Sequence, residues 1–136
     1  MRATGDRKGK LDSTGATLSS SVPMGSWIYG IAWDGTVLWC SSNNASTIYR
    51  YNPTSNTVVS TLPVVGGRPA GMAYAGGYVY VCMNGIINKC STTPFNTIAS
   101  YRIPNAQASG IAFDGANFWV SCEVGNGAKI YKVALP

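Results

Sequence analysis

Apolar residues in this chain come in short runs broken by Gly, Pro, Asn, Asp, Ser and Thr. No stretch repeats with a helical period, and turn-forming residues recur about every ten positions, so the pattern predicts short strands joined by tight turns. Three stretches align on their first glycine: Gly30-Ile31-Ala32-Trp33-Asp34-Gly35, Gly71-Met72-Ala73-Tyr74-Ala75-Gly76 and Gly110-Ile111-Ala112-Phe113-Asp114-Gly115, with starts 41 and 39 residues apart. Nine residues after each start stands a large aromatic, Trp39, Tyr80 or Trp119. Each aromatic sits in an apolar run: Val37 to Cys40, Tyr78 to Cys82, Phe118 to Val120. A second run follows each: Thr47 to Tyr51, Ile86 to Cys90, Lys129 to Val133. A last run ends in proline at Thr57 to Pro63 and Thr97 to Pro104.

Each unit therefore predicts a four-stranded antiparallel meander. Asp34-Gly35, Asp114-Gly115 and Asn84-Gly85 supply residues that tolerate the positive φ of tight hairpins. A two-residue turn at Asn84-Gly85 sets Cys82 opposite Ile87 and Cys90 opposite Val79, out of register for a disulfide. One such sheet cannot bury both faces, whereas sheets stacked face to face can. The fold class expected is all-β: a β-propeller of four-stranded blades, about three per chain, with repeats starting near Gly30, Gly71 and Gly110. The repeating glycine is expected to allow close backbone packing near the axis. The aromatic at offset nine is expected to pack between blades, so Trp39 and Trp119 should be buried. Trp27 lies outside the repeating pattern, where the other units carry Arg68 and Gln107, and should be more exposed.

The two ends of the repeat region are complementary. Leu11 to Pro23 aligns with Tyr51 to Pro63, which makes Ala16, Thr17, Leu18, Ser19, Ser20, Ser21 and Val22 an outermost strand with no first three strands before it. The last unit ends with the third strand, Lys129, Ile130, Tyr131, Lys132 and Val133. The stretch before the N-terminal strand, Asp6 to Lys10, is too charged to fill a buried third-strand place. The expectation is that Ala16–Val22 pairs with Lys129–Val133 of another copy. Three readings stay open: a closed six-bladed dimer, a head-to-tail fibre, and a piece of a longer propeller.

The segments GIAWDGTVLW, YNPTSNTVVSTLPVVGGRPAGMAY and GIAFDGANFWVS resemble the YVTN/NHL-type propeller repeats and the repeats of virginiamycin B lyase-like propellers. The resemblance covers nearly all of residues 11–133 and implies the blade architecture. The lyase likeness also implies a catalytic histidine and a metal-binding acid in a central site. The chain has no histidine, so that activity is not carried over.

Composition narrows the chemistry. Only 11% of the 136 residues are charged, about half the usual share, so Ser, Thr, Asn and Gly must cover much of the surface. The net charge is +5, but Arg2, Arg7, Lys8 and Lys10 hold four of the ten basic residues. Residues 1–10 therefore read as a basic, solvated leader before a single repeat domain at 11–136, and nucleic-acid binding is not expected. No apolar run is long enough to span a bilayer, and Met1 to Lys10 lacks the apolar core of a signal peptide. Cys40, Cys82, Cys90 and Cys122 contain no C-x-x-C pair and read as buried thiols. No catalytic, cofactor or metal site is expected. With five acidic residues, of which Asp34 and Asp114 serve turns, a paired-carboxylate site is hard to build, and Glu123 is the candidate if copies converge on a channel. The expected function is a non-catalytic, self-assembling structural or surface-binding module whose partners are other copies of itself. A glycan- or receptor-binding propeller using Trp27 is the second reading. The sequon Asn44-Ala45-Ser46 and the polar surface point toward an extracellular or cell-surface setting.

Overall fold

The computed structural model describes residues 9–11 and 17–136. It contains β1 (Gly9–Leu11), β2 (Thr17–Ser20) and three antiparallel sheets. Blade 1 is β3 (Gly30–Trp33), β4 (Leu38–Ser42), β5 (Thr47–Asn52) and β6 (Thr57–Pro63). Blade 2 is β7 (Pro69–Ala75), β8 (Tyr78–Met83), β9 (Ile86–Thr92) and β10 (Phe95–Tyr101). Blade 3 has three strands, β11 (Gln107–Phe113), β12 (Phe118–Val124) and β13 (Gly127–Val133). The blades form an open arc, each strand paired with its sequence neighbours.

The turns show why the units repeat. Asn84 and Gly85 both take positive φ, +54° and +75°, between Met83 and Ile86. Cys82 then lies opposite Ile87, and Cys90 opposite Val79, as the spacing predicts. The Asp-Gly turns work differently from that expectation, because only the glycines, Gly35 and Gly115, adopt positive φ. Asp34 instead accepts backbone N–H bonds from Thr36 and Val37, and its second oxygen accepts the Trp39 indole N–H at 2.9 Å. Asp114 repeats this with Ala116, Asn117 and Trp119. The aspartate thus closes the first hairpin and aims the aromatic at offset nine. The closing strand of blade 2 differs from the expected Thr97–Pro104; it is Phe95–Tyr101, because Thr92 and Phe95 already pair across a short turn.

Blades pack by two apolar clusters. Ala32, Val37, Trp39 and Ile48 of blade 1 bury Met72, Val79, Val81 and Cys90 of blade 2. Tyr80, Cys82 and Ile87 of blade 2 bury Phe118, Val120 and Cys122 of blade 3. The repeating glycines sit where the inner strands converge. A Cβ on Gly30 would lie 2.4 Å from the Ala70 carbonyl oxygen, and one on Gly71 would lie 2.6 Å from that of Ser109. Only glycine fits such a backbone approach.

Within one chain β2 pairs with β1, Gly9 opposite Ser20 and Lys10 opposite Ser19. The pairing residues include Leu11 and only one charge, so a short two-stranded ribbon forms ahead of blade 1. Ala16 and residues 1–8 lie outside the described residues; Ser21 and Val22 continue past β2, and the Val22 N–H donates to Asn56 Oδ1 at 3.1 Å. One expectation is corrected: Trp119 is 39% exposed, whereas Trp39 is fully buried as expected. Among the described residues no further blade stands against the Trp119 face.

Candidate functional site

Blade 3 presents an open face built from the same parts as the buried face of blade 1. Strand register makes the correspondence explicit. Trp39 pairs with Arg50, and Trp119 with Lys132; Ser41 pairs with Ile48, and Ser121 with Ile130. Ala32 and Ala112 stand opposite the two tryptophans, and Gly30 and Gly110 opposite the two serines. Both indoles donate to an aspartate and lie under a cation, Arg50 at 5.0 Å from the Trp39 ring and Lys132 at 5.9 Å from that of Trp119. Burial alone differs. Ile48 is 1% exposed and Ile130 is 73% exposed.

The open face carries a groove of about 230 Å³ between Gly110, Ala112, Trp119, Ser121 and Ile130. On blade 1 the matching residues are covered by blade 2, and Met72 is buried among Ala32, Trp39 and Ile48. A Cβ on Gly110 would meet only Ser121, where Gly30 and Gly71 meet the next blade's backbone. Ser41 bridges blades: its hydroxyl accepts the Gly30 N–H and donates to the Ala70 carbonyl of blade 2. Ser121 holds the same place with no blade beyond it.

The opposite end of the arc is open as well. Ile31 and Trp33 of blade 1 correspond to Met72 and Tyr74, which pack against blade 1 from blade 2. Ile31 and Trp33 have no such neighbour among the described residues and stand about half exposed. The rest of that face is closed by Met24, buried with Cys40, Tyr49 and Tyr51.

The side of the arc facing its axis is a second surface. β3, β7 and β11 are the inner edge strands of their sheets, and β11 is bridged beyond its sheet at Ala108, whose N–H donates to the Gly85 carbonyl at 3.1 Å. Residues 31–33, 72–74 and 111–113 of these strands line a cavity of about 310 Å³. Trp33, Tyr74 and Phe113, three residues after the repeating glycines, are among the lining residues, with Tyr74 also packed into the cluster between blades 1 and 2 and Phe113 against Phe118. The repeat alignment carried this signal, but a one-dimensional pattern does not mark the axis. The candidates that the sequence offers beyond the strands lie elsewhere. Trp27 is 64% exposed and stands apart from this cavity. Glu123 is exposed and pairs across strands with Gln107. Among the described residues no three His, Cys, Asp or Glu side chains converge to hold a metal ion, and no helix is long and apolar enough to cross a membrane.

All four cysteines are buried. Burial, with the Cys122 thiol nearby, pushes the Cys82 thiol up to about 12. Burial alone raises Cys122, and burial raises Cys90 against a hydrogen bond with Thr97. Asp114 is lowered to about 2 by the Trp119 indole first, then by the Asn117 and Ala116 N–H groups. At Asp34 partial burial pushes the carboxyl up, but the bonds from Val37, Trp39 and Thr36 outweigh it and the net shift is down.

No family model and no curated protein matches the chain. Solved structures do. Glutaminyl cyclase of Myxococcus xanthus is similar at 11% identity with a TM-score of 0.71, over 86% of this chain and 52% of that one. Virginiamycin B lyase of Staphylococcus aureus is similar at 19% with 0.62, over 97% and 50%. U3-55K is similar at 12% with 0.69, over 96% and 44%. The fold is that of β-propeller blades. The propeller arc spans about half the length of the first two structures. At these identities the likeness carries the fold and no reaction, because propellers host many unrelated functions.

Proposed function

We propose that this propeller arc is a non-catalytic self-assembly module, in which the open face of blade 3 stacks on the open face of blade 1 of a second copy. Two copies then close six blades around one two-fold axis, within the usual four to eight. The observation that carries the reading is the residue-for-residue match between the exposed Trp119–Ile130 face and the buried Trp39–Ile48 face. At the new seam Ile31 of the second copy takes the place of Met72 in the groove, and the Ser121 hydroxyl donates to the Tyr29 carbonyl, the counterpart of Ala70. Gly110 meets Gly30 of the second copy as Gly71 meets Gly110 within the chain.

The same seam brings the second copy's N-terminal strand beside β13, which among the described residues is a third strand without a fourth. Thr17 to Pro23 matches the fourth strand Thr57 to Pro63 in its threonine, middle serine and final proline. In this reading β2 leaves the three residues of β1 for the seven of β13. A cell-surface or extracellular setting accords with the exposed Asn44 of the β4–β5 turn and with the low ionic content.

Native mass spectrometry of the chain at micromolar concentration tests this. Twice the 14.3 kDa chain mass is expected. Ile130→Lys should give a monomer with an unchanged β-sheet circular dichroism spectrum. A wild-type monomer, or an Ile130→Lys variant that dimerises like the wild type, would refute the stacked faces. A ladder of ever larger oligomers would refute ring closure. Removal of residues 1–22 should loosen the dimer; unchanged affinity would remove strand exchange and leave face stacking standing.

A further inference from the structure

The seam between copies has an anchor of its own. We propose that Trp27 of one copy packs on the β12–β13 hairpin of the other, across Ala128 and beside Glu123, and that this contact selects a second copy as the partner. The inference rests on the stacked faces proposed above and adds the residue that makes the seam specific.

Three observations carry it. First, the start of an inner strand touches the hairpin of the blade before it. Pro69 stands two residues before Gly71, and its carbonyl accepts a bond from Asn43 Nδ2 at 3.5 Å. Ala108 stands two residues before Gly110, and its N–H donates to the Gly85 carbonyl at 3.1 Å. The adjacent Gln107 side chain lies against Gly85, in the space that a Cβ there would need. Pro69 and Ala108 are both buried. Trp27 and Ile28 hold the same two places before Gly30. Among the described residues no blade precedes them, so Ile28 is half-buried and Trp27 is exposed.

Second, the open hairpin is longer than its counterparts. Beyond the repeating aromatic, β4–β5 and β8–β9 each carry three residue pairs, ending at Ser42–Thr47 and Met83–Ile86. β12–β13 carries five, and the added pairs are Glu123–Ala128 and Val124–Gly127. Gly85, which Gln107 touches, stands five residues after Tyr80, and Val124 stands five after Trp119. Where blade 2 has already turned, blade 3 continues as sheet. Exposure alternates along β12, with Trp119, Ser121 and Glu123 exposed and Val120 and Cys122 buried. Glu123 and its cross-strand partner Ala128 therefore lie on the open face. A tight turn is covered by a glutamine, whereas a sheet surface with one small methyl leaves room for an indole.

Third, Trp27 continues the exposed face of its own strand. The Tyr29 N–H donates to the Ser41 carbonyl at 2.9 Å and so extends β3 toward Trp27. Trp27, Tyr29, Ile31 and Trp33 alternate along this run and are all exposed, while Ile28 packs toward Met24 and its cluster. The in-chain interfaces carry Arg68 and Gln107 at the place of Trp27. The tryptophan thus marks the interface that one copy does not make with itself, and exposed tryptophans of this kind dominate association energies.

The test is sedimentation velocity of the full chain across a dilution series, run as a double-mutant cycle. Trp27→Ala should weaken the wild-type dimer at least about a hundredfold, tenfold at each of two seams. Ala128→Gln, which fills the space of the ring, should also weaken it. Both positions are exposed, so the circular dichroism spectrum should stay that of the wild type. Trp27→Phe should keep most of the affinity. The double variant should be no weaker than Trp27→Ala alone, because the two changes share one contact. A wild-type dimer that Ile130→Lys breaks and Trp27→Ala leaves unchanged overturns this inference and keeps the stacked faces. Losses that multiply in the double variant overturn the contact between Trp27 and Ala128. A wild-type monomer overturns both readings.

Discussion

Trp39 and Trp119 are the same residue in two environments, and replacing each with alanine separates folding from assembly. Both share the repeat offset, the aspartate acceptor and the cation across the strand. Trp39 is wholly buried, so Trp39→Ala leaves a cavity between blades 1 and 2 and should cost a single chain about 3–5 kcal/mol. Trp119 is 39% exposed, and an aromatic of this size covers up to about 250 Å², so about 100 Å² stays wet in a single copy. At roughly 25 cal/mol per Å², Trp119→Ala should destabilise the single chain by about 2 kcal/mol less than Trp39→Ala. That same area is what each seam of a ring would bury. Two seams then lose about 4–5 kcal/mol, which weakens the dimer on the order of a thousandfold. Urea unfolding at submicromolar protein reads the first quantity, and sedimentation velocity across a dilution series reads the second. Equal losses of chain stability for the two variants, with an unchanged dissociation constant for Trp119→Ala, would refute the equivalence of the faces.

Glycine substitutions should split in the same way. Gly71→Ala forces a Cβ to 2.6 Å from the Ser109 carbonyl oxygen and should cost about 1–3 kcal/mol of folding stability, whereas Gly110→Ala meets only the Ser121 side chain and should fold normally while dimerising poorly; paired melts and native mass spectra check both. Asp34 and Asp114 are held below the unfolded carboxylate value near 3.9, so their contribution is complete above about pH 4 and fades as pH falls toward the folded values, about 2 for Asp114. Asp114→Asn should flatten part of the acid limb of a stability–pH curve, and an unchanged limb would count against the indole bond. The thiols should resist a disulfide reagent at pH 8 in the native state and react together on unfolding, since all four are buried; rapid reaction of Cys82 in native protein would contradict its placement between blades 2 and 3.

Local structure is legible in the chain without its neighbours in space. A repeat near 40 residues, alternating apolar runs and Gly-containing turns define four-stranded units, because strand pairing across a tight hairpin is dictated within about ten residues. The Asn84-Gly85 turn set the register that places Cys82 opposite Ile87 and Cys90 opposite Val79. The repeating glycines announced close backbone contact, and the structure puts Gly30, Gly71 and Gly110 along one line of convergence. Periodicity also says which residues share a face. It does not say whether another layer covers that face, and so Trp119 read as core where the structure leaves it open. The pairing of β2 with Gly9–Leu11 was hidden for a related reason: the charge of a segment measures its fitness for a buried strand, and a two-stranded ribbon need not be buried. The placing of residues 31–33, 72–74 and 111–113 along one axial cavity comes from packing, since their shared offset becomes a shared place only when three blades turn their inner strands toward a common axis. Hydrogen bonds of the hairpins are local and readable along the chain, whereas burial depends on neighbours that the repeat itself does not count.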